Sequence, residues 1–148
     1  MNYAKSIIAG FAGATVLNLL HETLRKFDSE APRMDLIGEQ AVKKSAEALD
    51  ITPPTGKELY GIALAGDMVS NASYFAALGV GGQKFILLRA VGAGLTAGLA
   101  AIKAPKPLGL NEAHVANSEK REVMTVAYYV IGALVTAGVY SMLEEKGL

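Results

Sequence analysis

The chain has 148 residues with 14 basic and 14 acidic side chains, so its formal net charge is zero, and 51% of its residues are hydrophobic. Balanced charge of this kind gives no electrostatic footprint for nucleic acid, and the absence of cysteine excludes disulfides, thiolate catalysis and cysteine-ligated metals. Only 19% of the residues are charged and mean hydropathy is +0.30 even with two polar connections included, a composition that points to a single helical membrane domain.

The first stretch, MNYAKSIIAGFAGATVLNLLHETLRK, has one lysine followed by an uncharged run from Ser6 to Leu20. That outline resembles a signal peptide, but the run ends in His21, Glu22 and Arg25 without a small-residue cleavage site, so it reads as a retained membrane span over about 4–24. Asn18, His21, Glu22 and Arg25 share one helix face by three- and four-residue spacing. His21 and Glu22 are expected as a solvated or headgroup-facing pair at the membrane boundary. After a break over Phe27–Pro32, the apolar or small positions Ile37, Ala41, Val42, Ser45, Ala48 and Leu49 form a stripe with Lys43, Lys44 and Glu47 outside it. This predicts an amphipathic helix over about 35–49, lying on the membrane surface or covering the end of a bundle.

Pro53 and Pro54 stop that helix. Thr55 to Glu58 fits a capping box, and a second span over about 58–80 follows, carrying Asp67 near its middle. Gly79, Gly81 and Gly82 end it, and so short a link to the next apolar run predicts an antiparallel hairpin. The third span, about 85–103, has Arg89 as its one charge before Lys103, with Gly94 and Gly98 in a GxxxG pattern. Small residues at that period let helix backbones approach closely, which matters in lipid because burial of apolar surface no longer drives association. Gly10 in the first span and Gly132 in the fourth offer similar packing faces. Pro105 and Pro107 open the second polar connection, Ser118 is a candidate N-cap, and the last span over about 122–143 is uncharged between Glu122 and Glu144. The run FILLRAV before Gly92-Ala93-Gly94 imitates a strand entering a dinucleotide-binding turn, but no alternation of further strands and helices accompanies it.

At ~1.5 Å rise per residue, Asp67 falls about 13 Å below one membrane face, Asn71 about 20 Å, Tyr74 about 24 Å and Asn18 about 9 Å. Arg89 starts about 7 Å from the opposite face. An intramembrane charge costs about 2.5–3.5 kcal/mol even on insertion scales, so it normally faces protein and finds a partner. These positions predict a polar cluster of Asp67, Arg89, Asn71, Asn18 and Tyr74, with Arg89 as counter-charge and the pair serving first to fix helix packing.

The expected architecture is all-α: a polytopic transmembrane four-helix bundle with an additional cytoplasmic-side amphipathic helix. Lysine and arginine are concentrated in the two long connections, which places those connections in the cytoplasm and both termini outside an inner (plasma) membrane of bacterial type. No catalytic, metal or nucleotide motif stands out, so no enzyme activity, cofactor or metal is expected. Two histidines without further ligands make a poor metal count. The expected role is a structural or accessory subunit, associating with itself or a larger membrane complex through its Gly/Ala faces. The alternative is a small oligomeric transporter or channel using Asp67 and Arg89 as an ion or proton site.

Overall fold

The structure is a computed structural model describing residues 3–147. It contains α1 (Tyr3–Leu24), α2 (Met34–Ala48), α3 (Gly56–Ala76), a 3-10 turn (Ala77–Gly81), α4 (Ile86–Lys103), the short α5 (Ala113–Ala116) and α6 (Glu119–Glu145), with no strand among the described residues.

Local chemistry sets most of the boundaries. Ser118 caps α6 as predicted, its hydroxyl accepting from the Arg121 amide at 3.2 Å, while Glu119 and Glu122 complement the helix dipole in the first turn. The Thr55 capping box is not formed. Thr55 has the extended backbone of an N-cap, but its side chain accepts no capping bond, and the chain enters α3 through Gly56 at φ 56°. The second predicted span ends sooner than its glycines suggest, because the helix tightens into the 3-10 turn at Ala77 and then reverses at Gly82, φ 65°.

α1 and α6 form the centre. They run antiparallel: Lys5 Nζ at the start of α1 lies 3.2 Å from the Glu144 carboxylate at the end of α6, and Arg121 at the start of α6 reaches the segment after α1. α3 packs on the outer side of α1, α4 on the outer side of α6, and α2 lies across α3. Small residues make these approaches possible. A Cβ on Gly94 would stand 2.6 Å from the Val130 Cα, one on Gly98 2.7 Å from the Val126 Cα, and one on Gly10 2.5 Å from the Ala72 carbonyl. At the crossing of α1 and α6, Gly132 sits against the Gly13 carbonyl and the Phe75 ring. All four glycines named from the sequence therefore serve contacts within the chain.

The hairpin between α3 and α4 is not a packed pair. The link reverses the chain, but the two helices barely touch. A groove of about 430 Å³ separates them, with Ser70, Asn71 and Tyr74 on one wall, Ala97, Ala101 and Ala104 on the other, and Tyr129 beneath.

Among the described residues three helices are long and apolar enough to cross a membrane: α1, α4 and α6. α3 is not among them; Asp67, Asn71, Ser70 and Ser73 lower its hydropathy. The distribution of side chains is compatible with a membrane protein. Ile7, Phe11, Leu19, Leu87, Leu88 and Val123 point outward, whereas Asn18, His21, Asn71, Thr125 and Thr136 are buried. Large apolar side chains outside and polar ones inside suit a lipid surround.

Candidate functional site

The polar side chains converge at one end of the molecule, where the last turns of α1 meet the start of α3, the first turn of α2 and the first half of α6. The three- and four-residue spacing predicted from the sequence brings Asn18, His21, Glu22 and Arg25 to this region of α1.

Glu22 is a junction. It accepts from Arg25 Nη2 at 2.6 Å and from the Tyr60 hydroxyl at 2.7 Å, tying α1 to α3. Arg25 Nη1 also lies 3.3 Å from Asp35, and Arg33 grips the same carboxylate with both prongs, Nε to Oδ1 at 2.9 Å and Nη2 to Oδ2 at 2.7 Å. Such bidentate pairs carry geometric specificity as well as energy. The Asp35 side chain is only 5% exposed. Burial pushes its carboxyl up, but the Arg33 hydrogen bonds and the charges of Arg33 and Arg25 outweigh burial and hold it below its ordinary value of 3.8. The Arg25 guanidinium is held above its ordinary value, first by the hydrogen bond to Glu22.

A further clamp closes this end. Arg121 donates to the carbonyls of Glu30 at 3.1 Å, Ser29 at 2.9 Å and Ala113 at 2.8 Å, and Lys120 lies 2.8 Å from Asp28. The start of α6 thus holds the connection between α1 and α2.

His21 is not the solvated boundary residue expected. It is 4% exposed and stands edge-on to Tyr128 at 5.1 Å and Tyr129 at 6.1 Å between ring centroids. The reason is its helix face, which looks inward at α6 while Glu22 looks toward α2 and α3. Neither ring nitrogen has a hydrogen-bond partner among the described residues. Asp67 is half-buried, with the amides of Asn71 and Asn18 facing its carboxylate. Asn18, His21, Glu22, Asp35, Tyr60 and Asp67 together line a cavity of about 20 Å³, measured as the space open to the centre of a water, which Met34, Ala63 and Leu64 complete.

Of the predicted polar cluster, then, Asp67, Asn71 and Asn18 come together and two members do not. Arg89 turns to the other end of α3, where its guanidinium donates to the Gly82 carbonyl and packs against Gly81. Asp67 lies roughly 20 Å along the helix axis from that turn, beyond the reach of an arginine side chain, and the turn offers Arg89 a free carbonyl nearby. Tyr74 points across the groove and donates to the Ala93 carbonyl at 2.9 Å. Arg25, Arg33, Asp35, Tyr60 and Tyr128 were not singled out as site residues from the sequence. The Arg33-x-Asp35 spacing is the available signal for the charged pair and depth along the last span the one for Tyr128; nothing local marks Tyr60, which arrives by helix packing.

Among the described residues no group of three or more His, Asp or Glu is arranged to hold a metal ion. No family model matches the chain, and neither a curated protein nor a solved structure does.

Proposed function

We propose that the protein is a small integral membrane protein that acts as a structural or accessory subunit, docking against another membrane helix through the outer face of α3. In this reading α1, α3, α4 and α6 form a four-helix transmembrane bundle, α2 is an amphipathic helix on the cytoplasmic side, and both termini lie outside an inner membrane. The partner is a second copy or a subunit of a larger complex.

The observation that carries it is the state of α3. Its outward residues Gly61, Ala65, Gly66, Val69 and Ser73 are exposed, and a Cβ added at Gly61 or Gly66 would meet nothing within 4 Å. Unlike α1, α4 and α6, α3 has no stretch apolar enough to count as a membrane span, and small side chains and a hydroxyl turn outward. Lipid tails gain little from such a face, whereas a partner helix can approach its backbone closely. Gly10, Gly94, Gly98 and Gly132 are already consumed inside the chain; of the glycines that meet open space, α4 carries Gly92 and α6 carries Gly138, whereas α3 carries both Gly61 and Gly66, which favours its outer face for association. The transport alternative would require a path past Leu17 and Phe75, both fully buried between the helices, and a counter-charge other than Arg89.

The test is purification from native membranes in a mild detergent. Gly61→Leu and Gly66→Leu, which meet open space within the chain, should leave the protein folded but strip a stoichiometric partner or second copy from it. Retention of every companion in both variants would refute docking through α3.

A further inference from the structure

The small cavity at the polar end joins an imidazole that the packing leaves without a hydrogen-bond partner to a carboxylate that has amide donors but no ion-pair partner among the described residues. His21 is 96% buried, with both ring nitrogens unpartnered among the described residues, and it lines the cavity together with Asp67. The ion pairs of the described residues engage Glu22, Asp28, Glu30, Asp35, Glu112 and Glu144, and Asp67 is in none of them. A neutral imidazole presents one N–H and one bare nitrogen, and burying both unpaired forfeits their full solvation.

We propose that Asp67 and His21 form a proton-binding site, holding one proton between carboxylate and imidazole through a single water. Size permits it: the cavity, about 20 Å³, exceeds the roughly 10–15 Å³ that one water needs. So does charge. The other titratable groups around the cavity are Glu22 on α1, Arg25 just past its end, Arg33 just before α2, Asp35 in the first turn of α2, Tyr60 on α3, and Tyr128 and Tyr129 on α6. Glu22 is engaged by Arg25 and Tyr60, and Asp35 by Arg33 and Arg25. Their charges offset one another. Asp67 is left without a counter-charge beside an imidazole with no partner, so the site attracts a proton. The proton moves without any change of oxidation state. A metal occupant is disfavoured by the ligand geometry, since no three His, Asp or Glu among the described residues converge. The proposal stands independently of docking through α3.

The experiment is nitrogen-15 NMR of histidine-labelled full-length protein in lipid nanodiscs. His114 is the other histidine, so His114→Gln leaves His21 as the one imidazole signal. The expected result is a single His21 protonation step whose midpoint shifts in Asp67→Asn by at least about one pH unit, a tenfold change in proton affinity. At fixed pH the signal should ignore sodium and ammonium. A midpoint unmoved by Asp67→Asn would overturn the site, as would a signal that follows sodium or ammonium, which would make this a cation site. Should Asp67→Asn fail to fold, infrared difference spectra of the unsubstituted chain with carbon-13-labelled aspartate serve instead. A labelled carboxyl band tracking the His21 midpoint supports the shared proton, and a separate midpoint overturns it.

Discussion

The imidazole of His21 stands edge-on to the ring of Tyr128, with centroids 5.1 Å apart and planes at 79°. That contact joins the last turns of α1 to the third turn of α6. It is an aromatic contact rather than a hydrogen bond, and the buried Tyr128 hydroxyl has no partner among the described residues. Tyr128→Phe should therefore be neutral or stabilising by up to about 1 kcal/mol, because a desolvated hydroxyl is removed and nothing is stranded. Tyr128→Ala should cost about 3–5 kcal/mol through the void it leaves. Thermal unfolding in detergent separates the two outcomes.

The carboxylate of Asp35 links stability to acid. Its folded value lies below the ordinary 3.8, so the stabilisation it brings is fully present above that ordinary value and is lost as pH falls through the depressed folded value. Asp35→Asn should lower stability at neutral pH by about 1–3 kcal/mol, since Arg25 and Arg33 lose a charged partner. The gap between the two proteins should then close on acidification below about pH 4. Unfolding midpoints across pH 2–7 measure that gap.

Two glycines one helix apart should behave oppositely. Gly94→Ala drives a methyl against the Val130 backbone, 2.6 Å away, and should cost about 1–3 kcal/mol as the helices separate. Gly66→Ala meets no atom within 4 Å and should gain up to about 1 kcal/mol of helix propensity. Denaturation in mixed micelles provides the comparison.

Asp67 and Arg89 should be energetically independent. Arg89 is bound to Gly82 and Asp67 faces Asn18 and Asn71, so Asp67→Asn and Arg89→Gln should add to within about 0.5 kcal/mol in a double-mutant cycle. Strong coupling would restore the pairing first expected from the sequence.

Much of this was legible in the residues. Hydrophobic runs bounded by proline, glycine and charge marked the long helices, and the stripe from Ile37 to Leu49 fell on the helix α2, although its last members Ser45, Ala48 and Leu49 are exposed. The period of Gly94 and Gly98 announced a close helix contact, although not that α6 would be the partner. What could not be read was which way each polar side chain turned. Depth alone placed Arg89 near enough to consider for Asp67, but rotation about α4 and a free carbonyl at Gly82 decided its contact. His21 looked like a boundary residue because it borders charge in sequence; one hundred degrees of helix rotation from Glu22 puts it in the core instead. The splay of α3 from α4 was also hidden. A short link constrains only the ends of two helices, and the packing of each on α1 and α6 fixes the rest.

Site-specific photo-crosslinking in native membranes tests docking through α3 most directly. A photoreactive residue at Ala65, on the exposed face of α3, is compared with one at Leu88 of α4, which is 72% exposed. Docking predicts a protein adduct of defined mass from position 65 and only lipid adducts from position 88. Lipid adducts alone from both positions would contradict it.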